Sequence, residues 1–258
     1  MAFYEPTADP HRFVATGHTA GLWSAASQHA GPPSALLIRE IEATPSTVEG
    51  RVRLGRLTVE ILGPVPVAEV SVRARVARPG RSVELVEAEL SAGDRPVLLA
   101  RAWRVRSVPL EGPGNAAAAP PMPDVRTVFA DPAMHSGYLD AMEWRFVTGG
   151  FEEEGPAQVW IRQRMPLVDG EDPSAVQRLI TAADSGNGVS RLYDFNRWWF
   201  INTELSVHLV REPAGEWIHL DATTTLGPDG LGLAQTAIYD AAGRVGSGAQ
   251  CLMIGRRP

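Results

Sequence analysis

Two segments of this chain share the tripeptide Pro-Ser-Ala near their start and run on as apolar helices: PPSALLIREIEA from Pro32 and DPSAVQRLITAAD from Asp172. Proline suits a helix start because the N–H groups of the first turn have no intrahelical partner. Asp172, just before Pro173, is a fitting N-cap. In the first segment Ala35, Leu36, Leu37, Ile38 and Ile41 cover most of the helix circumference, so this helix must be buried. The strand-like runs after each helix match as well. LTVEIL (57–62) and LSVHLV (205–210) alternate in the same phase, and each is soon followed by Pro. SAGDR (91–95) and DAAGR (240–244) are corresponding hairpin turns, and ARPG (77–80) coincides with LGPD (226–229). Agreement in order, spacing and turn chemistry implies a tandem duplication.

Each copy reads as a short strand, one long apolar helix and several antiparallel strands, with no further helix. The sheet must wrap the helix, since nothing else in the unit can cover it. That is an α+β hotdog unit, and the chain is expected to be a double hotdog. Two such units can pair their sheets edge to edge, which removes strand edges that would otherwise invite aggregation. Between them, LEGPGNAAAAPPMPD (110–124) has no hydrophobic periodicity. The expected division is an N-terminal unit over 1–110, a linker over 111–124 and a C-terminal unit over 125–258.

Composition narrows the function. A net charge of -6 argues against a sequence-independent hold on nucleic acid, which requires a basic surface. The N-terminus lacks the basic start and apolar run of a signal peptide, and no stretch approaches a membrane span; a cytoplasmic protein is expected. The sole cysteine, Cys251, excludes an internal disulfide framework and a multi-thiolate metal site. Every basic residue is Arg, which suggests a GC-rich bacterial genome. The sequence has no GxSxG elbow, P-loop, GxGxxG after a strand, or HExxH, so no metal or nucleotide cofactor is expected. The six His residues are scattered and read as surface or satisfied core residues.

Function is sought where the copies differ. Asp184 follows the second helix, where the helix dipole disfavours a carboxylate; the first copy has Thr44 there. A solvated turn residue is the plain alternative. Alternation places Thr203 on the face of Leu205, Val207 and Leu209, with Gly55 as its counterpart; a purely structural strand threonine is the competing reading. In the last strand Gly246, Gly248 and Gln250 share a face, matched to Val97, Leu99 and Arg101. Glycines inside a strand suggest space opened beside Gln250, and a buried amide there must be hydrogen-bonded or bind something. A carboxylate, a hydroxyl and an amide around a cleft suit water activation, with Asp184 accepting the proton while Thr203 and Gln250 hold the water. An oxyanion donor must complete the site.

This set resembles that of the acyl-CoA thioesterase II (TesB-like) family of double-hotdog enzymes. The resemblance is carried by Asp184 in ITAADSGNG, Thr203 ten residues before Pro213, and Gln250 in GAQCLMI, and it covers nearly the whole chain. It departs from the family where Thr203 is followed by Glu204, Leu205 and Ser206, and where the first helix begins Ala-Gly-Pro-Pro. The resemblance implies hydrolysis of a fatty acyl-CoA by an Asp-activated water without an acyl-enzyme, one site per chain, and a homodimer or larger homo-oligomer. It also implies a carbonyl held at a helix N-terminus, where Gly31 is the candidate because Pro32 and Pro33 lack an N–H. Arg256 and Arg257 are available for CoA phosphates and equally read as solvated tail residues. The alternatives are a non-catalytic acyl-binding module and a hotdog enoyl-CoA hydratase. The hydratase ranks last because no His lies within twenty residues after Asp184.

Overall fold

The computed structural model describes residues 1–109, 111, 117–131, 134–135 and 137–257. The first half holds β1 (Tyr4–Pro6), β2 (Arg12–Ala15), a short 3-10 turn at Gly17–Thr19, the helix α1 (Gly31–Ala43), and then β3 (Val52–Ile61), β4 (Glu69–Arg78), β5 (Val83–Ala92) and β6 (Arg95–Arg106). The second half holds α2 (Gly137–Ala141), β7 (Met142–Thr148), β8 (Ala157–Gln163), α3 (Ala175–Ala183) and the one-turn α4 (Gly186–Val189). It continues with β9 (Trp198–Asn202), β10 (Glu204–Leu209), β11 (Trp217–Leu226), β12 (Leu231–Asp240) and β13 (Gly243–Arg256). The expected linker falls partly on residues 112–116, which, like residue 110 just before it, lie outside the described residues. No described helix is long and apolar enough to cross a membrane.

All the described strands join one 13-stranded sheet, and its order shows the duplication. Outward from the centre, β3-β6-β5-β4-β2-β1 on one side mirrors β10-β13-β12-β11-β8-β7 on the other, with β9 added beside β13. The join is made by the two strands matched in sequence: Leu57 lies opposite Val207 and Val59 opposite Leu205. All four are buried. Each half thereby covers the other's edge, as a double hotdog predicts.

The two long helices pack antiparallel inside this sheet. At one end Arg39 clamps Glu171 through two hydrogen bonds of 2.7 Å, while Glu42 accepts from Ser174 and Gln177. At the other end Gly31 lies so close to Thr181 O that a Cβ would collide with it. Leu36, Leu37, Ile38 and Ile41 of α1 are fully buried, each contributing about 1.5–3 kcal/mol of apolar burial. The second helix starts later than expected. Ser174 Oγ, not Asp172, caps it by accepting from Gln177 N at 3.1 Å, because Asp172 and Pro173 precede the first helical turn.

Two β-bulges set which residues face inward. Opposite β6, Leu54 pairs with Arg104 and Arg56 with Trp103, which leaves Gly55 as the extra residue. In the second half Ser206 pairs with Ala249 and Asn202 with Leu252, so four steps on one strand match three on the other, and the bulge falls at Thr203. A second matched pair of bulges sits at Val97, between Leu90/Leu98 and Ser91/Pro96, and at Val245, between Ile238/Gly246 and Tyr239/Arg244.

Candidate active site

Asp184 ends α3, where its own helix dipole disfavours a negative charge. The antiparallel packing resolves this conflict by setting its carboxylate on the N-terminus of α1, within reach of the backbone N–H groups of Ala30 and Gly31. Asp184 is 3% exposed. Burial pushes its carboxyl up to about 7, against the opposing effect of hydrogen bonds from Asn202, Gln250, Gly31 and Ala30. A carboxyl poised near neutrality in a cavity wall has the acidity needed to take up and release a proton.

The structure brings Gln250 beside Asp184. Its Nε2 donates to Asp184 O at 3.1 Å and to Oδ1 at 3.2 Å, while its Oε1 accepts from Asn187 N at 3.0 Å. Both ends of the amide are therefore occupied in fixing Asp184 and α4. The structure overturns the expected strand match and the expected cleft at Gln250. With the bulges at Val97 and Val245 counted, its counterpart is Ala102, not Arg101, and Gly246 and Gly248 answer to Leu98 and Ala100. An amide has replaced a buried methyl. Nor do the glycines open a cleft: a Cβ on Gly246 would strike His208 O, and one on Gly248 would meet Ile238 Cδ1 at 3.6 Å and Ser206 O at 3.7 Å.

Thr203 does not face inward with Leu205. Alternation fails there because the bulge adds a residue, and Thr203 stands exposed at the cavity rim, its Oγ1 3.4 Å from Cys251 O. The preceding residue takes the inward place. Asn202 Nδ2 donates to Asp184 Oδ1 at 2.8 Å. Sequence reasoning missed Asn202 by counting alternation through the bulge. Its signal was the glycine at the matching Gly55, a residue that often marks such an irregularity.

His29 was also missed. Its Nδ1 lies 3.2 Å from Asp184 Oδ2 and accepts from Gly31 N at 3.1 Å. The ring stacks on Tyr138 at 3.7 Å and 5°, and Tyr138 OH is tied to Thr181 O and Ser185 Oγ at 2.8 and 2.9 Å. Burial pulls His29 down to about 3, so it is neutral, and raises the Tyr138 phenol above its ordinary range. The ground for ranking a hydratase last therefore fails: an Asp and His pair is present, assembled from opposite halves of the chain. Only a His in the two residues before the α1 start could have signalled it.

Asp184, His29, Tyr138, Asn202 and Thr203 line a cavity of about 450 Å³ between the halves, and Gln250 is not part of its wall. Leu22, Trp23, Val65, Phe195, Trp199 and Phe200 make its wall largely apolar and aromatic. The Arg257 guanidinium packs on two residues of this wall, 4.2 Å from the Trp199 ring centre and 6.0 Å from that of Trp23. Arg256 lies over Trp198, which is not part of the wall. Ser185 lines the cavity beside Asp184, whereas Cys251 is exposed.

Comparison with known proteins agrees with this architecture. The family model for the acyl-CoA thioesterase N-terminal domain matches residues 19–105, and that for the acyl-CoA thioesterase C-terminal domain matches residues 115–254. No curated protein matches significantly. Among solved structures, a hot dog fold protein from Alicyclobacillus acidocaldarius is 16% identical with a TM-score of 0.72, covering 98% of this chain and 96% of its own. An acyl-CoA thioesterase II from Mycobacterium marinum is 17% identical with a TM-score of 0.65, covering 98% and 94%. The tesB protein of Mycobacterium avium subs paratuberculosis is 14% identical with a TM-score of 0.66, covering 98% and 95%. At these identities the structures establish a shared fold.

Proposed function

The chain belongs to the acyl-CoA thioesterase family, and on that premise we propose that it hydrolyses a fatty acyl-CoA to a free acid and CoA, with Asp184 as the final acceptor of the proton of the attacking water. The observation that carries this reading is the buried carboxyl of Asp184, poised near pH 7 in the cavity wall. A module that only held acyl groups would have no use for it, since burying an ionisable carboxyl is costly. The apolar wall suits an acyl chain, and Arg257, packed on the wall residues Trp199 and Trp23, suits a CoA phosphate. Gly31 N–H is directed at His29 and Asp184, so its service to an oxyanion would require the substrate to displace one of those contacts. Gln250 and Asn202 hold Asp184 in place, and Thr203 at the rim is within reach of substrate. One site per chain follows, because Thr44 and Ala102 occupy the corresponding places in the first half.

The reaction proceeds without an acyl-enzyme. Rapid quenching during turnover followed by intact-protein mass measurement is expected to show no acylated species; an adduct on Ser185 or Cys251 would overturn direct water attack. A second reading, addition of water to an enoyl-CoA, is favoured by the His29 and Asp184 pair. Loss of the conjugated enoyl absorbance without thiol release would select it.

A further inference from the structure

The acceptor sites of Asp184 are already occupied. A carboxylate offers about four lone-pair sites. Oδ1 receives Asn202 and Gln250, Oδ2 faces His29 Nδ1, and the N–H groups of Ala30 and Gly31 point at the same carboxylate. A water bound directly to Asp184 would have to displace one of these donors. His29 stands differently. Its side chain is 21% exposed and lines the cavity. Among the described residues its Nε2 has no hydrogen-bond partner, and it is not one of the occluded unpaired atoms. The stack on Tyr138 fixes the ring plane, and within it Nδ1 lies toward Asp184 and Gly31 N.

We propose, building on the thioester-hydrolase reading, that His29 is the catalytic residue that meets the attacking water and passes its proton through the imidazole to Asp184. In the resting state Asp184 is ionised and His29 carries its proton on Nδ1. As the water oxygen bonds to the thioester carbonyl carbon, the water O–H bond breaks and Nε2–H forms. The Nδ1 proton moves to Asp184 Oδ2, and the carbonyl π pair moves to its oxygen. On collapse of the tetrahedral species the C–S bond breaks. The departing thiolate takes the Nε2 proton, and Asp184 returns its proton to Nδ1. His29 is neutral before and after each step, and only its tautomer changes. Gly31 N–H serves both states, turning to the ionised carboxylate in one and to the bare Nδ1 in the other.

The acidities agree with this direction of transfer: with His29 held near 3 and Asp184 near 7, the proton comes to rest on Asp184. The other titratable side chain facing the pair is Tyr138 on α2, whose phenol burial keeps neutral. Asn202 from β9, Gln250 from β13 and Asn187 from α4 carry no charge.

The test is the tautomer of His29 in the wild-type enzyme, read from its ring nitrogen shifts by NMR across a pH series. The Nδ1–H form is expected above about pH 7 and the Nε2–H form below it, with the Asp184→Asn variant fixed as Nε2–H throughout. A tautomer that does not change, or conversion to imidazolium at the transition, overturns the relay. His29→Phe, which keeps the ring stack, is expected to lower kcat by about 100-fold or more with KM changed less than about 3-fold. A kcat within about 3-fold of wild type also overturns it. A wild-type enzyme that switches tautomer and yet releases no thiol overturns the thioesterase reading, and the catalytic role of His29 with it.

Discussion

His29 Nδ1 lies 3.2 Å from Asp184 Oδ2, although the two residues come from opposite halves of a duplicated chain. Antiparallel packing of the two central helices produces this contact. The residues just before α1 meet the residue that ends α3, and the corresponding junction at the other helix ends has Thr44 in place of the carboxylate.

Activity should follow the ionisation of Asp184, because only the ionised carboxylate can end up with the water's proton. Burial raises that carboxyl to about 7, so kcat/KM is expected to rise roughly tenfold per pH unit below about 7 and to level off above it. A pH–rate profile that is flat across this range would contradict the assignment.

Stability should move in the opposite sense. The folded-state carboxyl lies near 7 against an ordinary 3.8, so the folded protein binds this proton more tightly than the unfolded chain. The resulting stabilisation is fully present below the ordinary value and is lost as pH rises through 3.8 toward 7. Between about pH 5 and about pH 8 the unfolding free energy of Asp184→Asn should gain about 2 to 3 kcal/mol relative to wild type. Denaturant unfolding at the two pH values measures it, and an unchanged difference would mean that Asp184 is not destabilised by burial.

Asn202 and Thr203 are neighbours with opposite expectations. Asn202→Ala removes a donor to a buried carboxylate and should lower kcat/KM by about 10- to 100-fold. The same change should shift the pH profile to higher values. Thr203→Val touches only a rim hydroxyl and should cost less than about 3-fold. Steady-state kinetics of the two variants decide between them; a larger loss at Thr203 would restore the role that simple alternation had suggested.

Much of this was legible in the sequence, for physical reasons. Helix periodicity and repeated turns report local structure, so the duplication and the buried α1 could be read directly. The misplacement of a dipole-opposed carboxylate singled out Asp184, which the structure buries in the cavity wall. Register was harder to read. The bulge at Thr203 shifts the strand phase by one residue, which hid Asn202 behind Thr203, and matching SAGDR to DAAGR set the last strands one residue out, pairing Gln250 with Arg101 in place of Ala102, because β6 begins at Arg95 and β13 at Gly243. His29 was out of reach for a different reason: its meaning depends on a helix packing that joins residues 155 positions apart in the chain.

Arg257 offers a separate test of the substrate's polar end. Arg257→Ala should raise KM about tenfold for an acyl-CoA while leaving the matching acyl-pantetheine, which lacks the nucleotide phosphates, nearly unchanged. Equal effects on both substrates would place the guanidinium's role in packing on Trp199.

The most direct measurement is release of free thiol from a chain-length series of acyl-CoA substrates by the wild-type protein and by Asp184→Asn. Steady release by wild type, lowered by about 100-fold or more in the variant, is the predicted result. Equal rates in the two proteins, or no release by either at any chain length, would contradict the assignment of Asp184 as the catalytic carboxylate.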